Sequence, residues 1–307
     1  MKKMKSFVVL CLVVAGVLAE GPFTGYHDRI GIPLAARILE AETIAVQSGS
    51  RIIGGEPAPL GAHPYLFGWM FVTLSLTHLG ESFSACGSSM LSNTRVITAA
   101  HCWWDYWRQV DRFTLVFGSE YIFFGGVRVE TRDVEMHPGW DGLLALEYDI
   151  AIVRFNHVAY TSVIQPISLP TGALESNDFV GVWAQASGWG IVGDGIPPTA
   201  NQLQRHVTLQ VISNDVCRQT FPTVITERIL CTSGVGPVGP VGICSSDSGG
   251  PLSIVNNNQR VLVSFKRFDS MILINTAKEH GFLFSCPDYH RYKSVIVGSK
   301  PVTMHNI

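Results

Sequence analysis

The chain has 307 residues, of which 47% are hydrophobic and 15% charged, with a formal net charge of −2. That is enough apolar material for one large core or two small ones. So small a net charge gives no reason to expect a nucleic-acid partner.

Residues 1–19 read as a signal peptide. Lys2, Lys3 and Lys5 form a basic start, and Phe7 to Leu18 is an apolar run too short to span a bilayer comfortably. Val17 and Ala19 supply small residues at the cleavage site. A buried N-terminal helix is the other reading of this stretch. No later stretch is long and apolar enough for a membrane span. The expectation is a secreted, extracellular protein with no membrane partner.

Residues 20–51 are mixed in composition, with Gly21-Pro22, Gly31 and Pro33 interrupting any long element. The apolar residues from Leu34 to Ala45 predict a short amphipathic helix. From residue 52 onward the pattern is all-β. Short apolar runs such as Phe113 to Phe117 and Val127 to Thr131 recur between Gly, Pro, Asn and Asp. Composition and periodicity support an all-β chain of one or two sub-domains.

There are seven cysteines: Cys11, Cys86, Cys102, Cys217, Cys231, Cys244 and Cys286. Cys11 lies in the segment expected to be removed. The remaining even number suggests three disulfides. No Asn-x-Ser/Thr sequon occurs, so no N-glycan is implied.

The chemistry concentrates in Gly242-Ile243-Cys244-Ser245-Ser246-Asp247-Ser248-Gly249-Gly250-Pro251. A serine hydroxyl is a poor nucleophile until a base takes its proton. Thr98-Ala99-Ala100-His101-Cys102 supplies a candidate base, and Tyr148-Asp149-Ile150-Ala151 supplies an acid at the head of an apolar strand-like run. An acid placed there can accept a hydrogen bond from the histidine's second nitrogen, fixing its tautomer. A lone Asp or a Ser before Gly-Gly is common in any protein. All three together, in the chain order His, Asp, Ser, are not.

With these motifs the chain resembles the chymotrypsin-like serine proteases over about residues 52–265, and most nearly the midgut chymotrypsins of insects. The resemblance implies two six-stranded antiparallel β-barrels with the active site in the cleft between them. The first would span about 52–155, with a crossover at about 156–170. It implies His101, Asp149 and Ser248 as the catalytic residues, and the backbone N–H groups of Ser246 and Ser248 as the oxyanion hole. The family has glycine where this chain has Ser246. A main-chain donor survives that change, but glycine tolerates backbone conformations that serine resists. Residues 20–51 would be a pro-peptide. Cleavage after Arg51 would free the Ile52 amine to pair with Asp247, so the protein would be made as a zymogen. Cys86 would bond Cys102, and Cys217 would bond Cys231; whether Cys244 pairs with Cys286 stays open. The specificity pocket would include Gly242 and Ser264. Tryptic members carry aspartate at the Gly242 position, so an apolar, chymotrypsin-like preference is expected.

The resemblance stops after Phe265. Lys266 stands where the family has glycine, and residues 266–307 carry none of the expected landmarks. The expectation is therefore a second barrel without its closing strands. The function expected is a secreted, digestive endopeptidase without cofactor or metal. Its partners would be protein or peptide substrates, an activating trypsin-like protease and, as candidates, protein protease inhibitors. The rival reading, motivated by Ser246 and the tail, is a weakened or inactive homologue that serves as a binding or regulatory protein.

Overall fold

The structure is a computed structural model that describes residues 25–48, 64–76, 80–142, 148–188, 205–219, 221–222, 225–233, 235–236, 239–240, 248–266 and 295–299. It opens with a π-helical turn, His27–Gly31, that runs into helix α1 (Ile32–Ser48). Pro33 has no N–H to give, and the wide turn before it passes that position without needing one. Leu34, Ala35, Ile38, Ala41 and Glu42 are buried and share one face of α1. The predicted amphipathic helix is therefore present and extends at both ends.

Seven antiparallel strands follow: β1 (Leu66–Leu76), β2 (Gly80–Ser92), β3 (Arg95–Thr98), β4 (Arg112–Phe117), β5 (Val127–Thr131), β6 (Val134–Met136) and β7 (Ala151–Arg154). Their order in the sheet is β5-β4-β1-β2-β3-β7-β6. The two ends of this sheet, β5 and β6, are consecutive in the chain and separated only by Arg132 and Asp133. Ends joined so closely must curl toward each other, so the sheet rolls into a barrel whose sixth place is shared by β5 and β6. The Arg154 N–H donates to the Asp133 carbonyl at 2.8 Å, and the Thr131 hydroxyl donates to the Arg154 carbonyl at 2.7 Å. These bonds stitch the break. Alternation along β4 sends Phe113, Leu115 and Phe117 into the core. Tyr26, Leu34, Ala35 and Ile38 belong to that same buried cluster.

The crossover runs onto the second barrel, where the Leu262 N–H donates to the Ser168 carbonyl at 2.8 Å. This barrel uses β8 (Trp183–Gly188), β9 (Arg205–Ile212), β10 (Ile229–Ser233), β13 (Pro251–Asn256), β14 (Gln259–Lys266) and β15 (Val295–Ser299). A small separate ladder pairs β11 (Val235–Gly236) with β12 (Gly239–Pro240). The six strands close in the order β10-β15-β14-β13-β8-β9, with β9 returning to β10.

Closure corrects one expectation. The sequence reading left the second barrel open after Phe265, yet β15 pairs with β10 along its length and with β14 through Phe265↔Ser299 and Lys266↔Gly298. Val295-Ile296-Val297 is a β-branched run that fills a strand place whatever its ancestry. No family landmark falls in residues 266–307, so nothing local singles this strand out. If β15 closes the barrel, ending the chain at Ser294 should expose the edges of β10 and β14 and destabilise the fold. A loss of about 3 kcal/mol would lower the urea midpoint by roughly 1 M or more. An unchanged midpoint would mean that the barrel does not depend on β15.

Candidate active site

His101 lies in a single 3-10 turn, Ala100–Cys102, just after β3. Cys102 is bonded to Cys86 of β2, so the turn is tied to the neighbouring strand. Asp149 stands just before β7, which pairs with β3 through Thr98↔Ala151. The backbone bends sharply to present it. Tyr148 has φ +64°, and the Ile150 N–H folds back onto the Tyr148 carbonyl at 2.7 Å. That conformation is costly for tyrosine, of order 1 kcal/mol. The His137 ring stacks on Tyr148 at 4.5 Å, and the Arg228 guanidinium lies 5.0 Å from the same ring centre.

Asp149 meets His101 at two points, one on its backbone and one on its ring. The His101 backbone N–H donates to Asp149 Oδ1 at 2.9 Å, and His101 Nδ1 lies 2.8 Å from Asp149 Oδ2. A carboxylate can only accept, so Nδ1 carries the hydrogen and Nε2 is left as the basic nitrogen. Asp149 is 1% exposed and His101 3% exposed. A buried carboxylate needs such donors to offset its lost hydration.

Ser248 is 3% exposed and begins the turn that leads into β13. Its carbonyl accepts from the Gly87 N–H at 2.6 Å, and the Gly87 carbonyl accepts from the Thr98 hydroxyl at 2.8 Å. Gly249 has φ +82°, and a Cβ there would fall 2.2 Å from the Gly87 oxygen. Glycine is required at 249 on both counts. The Ser248 turn from the second barrel is thus seated on the first barrel, one residue from Cys86. The arrangement has the parts for proton transfer from a hydroxyl to an imidazole braced by a buried carboxylate.

Among the other expected residues, Ser264 is buried on β14 opposite Leu252. Cys217 and Cys231 form the second disulfide, inside a small cluster with Phe221, Ile225 and Ile229. Ser246, Asp247, Gly242, Arg51, Ile52, Cys244 and Cys286 lie outside the described residues. The ligand atoms of Cys86, His101 and Cys102 fall within 4.8 Å of one another, but both sulfurs are spent in the disulfide. That cluster is no metal centre.

A group of residues from the N-terminal segment, which carries no site motif, also reaches the site. The Tyr26 ring meets the His101 ring edge-on at 4.7 Å, and its hydroxyl donates to the Ala85 carbonyl at 2.7 Å. The His27 N–H donates to Asp105 Oδ2 at 3.0 Å, and its Nδ1 is 2.8 Å from the Ser84 hydroxyl. Arg108 forks onto Asp28 through Nε and Nη2 at 2.9–3.2 Å. Glu42 accepts from the N–H groups of Ile122 and Phe123, both at 2.7 Å. Burial pushes the Glu42 carboxyl up to about 7, against the pull of those N–H groups and of Arg128. Burial pushes His27 down to about 3, with His101 and Arg108 adding to the effect. Burial also raises the Asp105 carboxyl, against the N–H groups of His27 and Arg108. Only the period of α1 hinted at a docked segment; Tyr26 and His27 belong to no motif.

Two barrels with a His–Asp pair on one and the candidate serine seated from the other define a hydrolase fold of the chymotrypsin type. Comparison with known proteins makes the family explicit. The Trypsin family model matches residues 52–271. Alkaline trypsin A of Manduca sexta is 33% identical over 229 residues, covering 73% of this chain and 84% of that protein. The collagenase of Hypoderma lineatum is 32% identical over 233 residues, covering 76% of this chain and 82% of that protein. The solved structure of HL collagenase superposes with a TM-score of 0.60 at 27% identity, covering 81% of this chain and 93% of that one. The chain belongs to the trypsin family of serine proteases.

The buried His27 makes a pH prediction. Its pKa is about 3 in the folded protein and 6.5 when free. A depressed folded value means that the unfolded state binds the proton more readily. The stability it protects is whole above pH 6.5 and is lost as the pH falls toward 3. His101, Arg108, Asp105 and Asp28 around it, and Glu42 with its opposite trend, are common to wild type and His27→Gln, so their contributions cancel in the difference. Between pH 7 and pH 5 the wild type should lose about 2 kcal/mol relative to His27→Gln in urea unfolding. Parallel curves would show that His27 is not held neutral.

Proposed function

We propose that the protein is a secreted, digestive serine endopeptidase, made as a zymogen, that cleaves after bulky apolar residues. The observation that carries this reading is the two-point hold of His101 on the buried Asp149. In this reading His101 Nε2 takes the Ser248 proton as the hydroxyl attacks the peptide carbonyl, and Asp149 stabilises the imidazolium that forms. The proton then goes to the leaving amine, and water releases the acyl group. The backbone N–H groups of Ser248 and Ser246 are assigned to stabilise the developing oxyanion. Cleavage after Arg51 frees Ile52 to pair with Asp247. The start of the chain supports secretion, and none of the described helices is long and apolar enough to cross a membrane.

Gly242 supports the apolar preference, since it brings no carboxylate to meet a Lys or Arg side chain. The relatives named trypsins do not decide this point for a chain that lacks the charge. The weakened-homologue reading draws on Ser246 and the tail after Phe265, and the His101–Asp149 geometry counts against it.

The test is a single series on protein cut after Arg51. A fluorophosphonate should label Ser248, and matched peptides ending in Phe or Leu should be hydrolysed faster than those ending in Arg or Lys. Asp149→Asn should lower kcat by about 10⁴-fold. Arg51→Gln should leave a zymogen that trypsin does not switch on at this bond. Preference for Arg or Lys would overturn the specificity assignment, and absence of labelling at every dilution would overturn the activity.

A further inference from the structure

We propose that Gly25–Ser48 is a built-in inhibitor, which masks His101 with Tyr26 and stays bound to the first barrel after the chain is cut at Arg51. The inference rests on the peptidase reading above.

The masking contact is direct. A substrate's leaving group must reach the imidazole, and the Tyr26 ring lies against that imidazole at 4.7 Å. Tyr26 is itself 1% exposed, and its hydroxyl is fixed to the carbonyl of Ala85, beside the disulfide that holds the His101 turn. The ring therefore has no free swing. The next residue is fixed as well, since the His27 N–H is taken by Asp105.

Retention after cleavage follows from how the segment is held. Residues 20–51 contain no cysteine, so no disulfide ties the segment to the body. Its hold is noncovalent and spread over its whole length. At one end are Tyr26 and the forked Asp28–Arg108 pair. In the middle, Leu34, Ala35 and Ile38 enter the core cluster of the first barrel. Toward the far end, Glu42 takes two backbone N–H groups. None of these contacts involves the Arg51–Ile52 bond, so breaking that bond removes none of them. What the cut does remove is the tether. A short tether supplies an effective concentration of the order of millimolar; after the cut the segment faces only its true concentration. Activation then has two stages: cleavage supplies the new terminus, and dilution unmasks the histidine. Stored at high concentration, the cut protein would remain masked.

Two readouts on the cut protein test this: hydrolysis of a small chromogenic peptide and the rate of fluorophosphonate labelling. Activity per molecule should rise on serial dilution and fall again when a synthetic peptide of residues 20–51 is added. An Asp28→Arg version of that peptide should inhibit at least about tenfold more weakly, because it sets two cations against each other. Arg108→Asp in the protein should restore inhibition by that peptide. Asp28 and Arg108 are both partly exposed, so neither change threatens folding. Activity that is constant on dilution and indifferent to the peptide would overturn the inference, as would equal inhibition by the Asp28→Arg peptide. Should the cut protein hydrolyse nothing at any dilution, the peptidase reading fails by itself. Fluorescence anisotropy of labelled peptide on the cut, dialysed protein then decides the rest. Binding that follows the charge swap upholds the docked segment, and absence of binding overturns it.

Discussion

The carboxylate of Asp149 is the constraint on which the rest depends. A charge buried this deeply loses several kcal/mol of hydration unless donors meet it in good geometry. Both oxygens are met by one residue, His101, once from its backbone and once from its ring. The main chain at residue 101 must therefore come within hydrogen-bond reach of the start of β7. The β3–β7 register brings it there, and the Cys86–Cys102 bond keeps it there. Gly87, next to Cys86, then provides the seat for the Ser248 turn. Much of the first barrel can be read as the scaffold of one desolvated carboxylate.

This explains which parts were legible in the sequence. Thr98 to Cys102, Asp149 to Ile152 and the run around Ser248 carry local signatures because each must satisfy strict backbone demands. Gly249 is the clearest case: its φ and the Gly87 oxygen beneath it leave no room for a side chain. The all-β character was legible as short apolar runs between turn residues, whereas the two barrels and both disulfides followed from the family resemblance. Two features were not legible. β15 is an ordinary β-branched run, and only its long-range partners on β10 and β14 give it meaning. The docking of Tyr26 to Ser48 likewise depends on groups far along the chain: Ala85, Asp105, Arg108 and the N–H groups at 122 and 123. A periodic pattern tells that a helix has an apolar face, not what covers it.

The docked segment also shows how apolar and polar groups divide their work. Tyr26, Leu34, Ala35 and Ile38 lose water on joining the core, which favours docking by roughly 25 cal/mol for each Å² of apolar surface. The polar groups add little net energy. His27 must give up its proton's stability in water, and Glu42 must give up hydration of its charge, as their shifts toward about 3 and about 7 record. Such groups select a register, because a segment shifted along the barrel would leave them buried without partners.

The same division sets how tightly the segment can be held. Apolar contact supplies the affinity, and the desolvation of two titratable groups subtracts from it, so docking is weaker than the buried surface alone implies. His27 opposes docking as the pH falls below 6.5, while Glu42 opposes it as the pH rises above 4.5. Between those values the two effects oppose each other, and Asp105, whose carboxyl burial also raises, sides with Glu42. A segment bound through an all-apolar face would lack this behaviour and would release with difficulty once cut. Burying an imidazole and a carboxyl at the contact costs desolvation and so weakens the bound state, which is what the proposed release after cleavage would require.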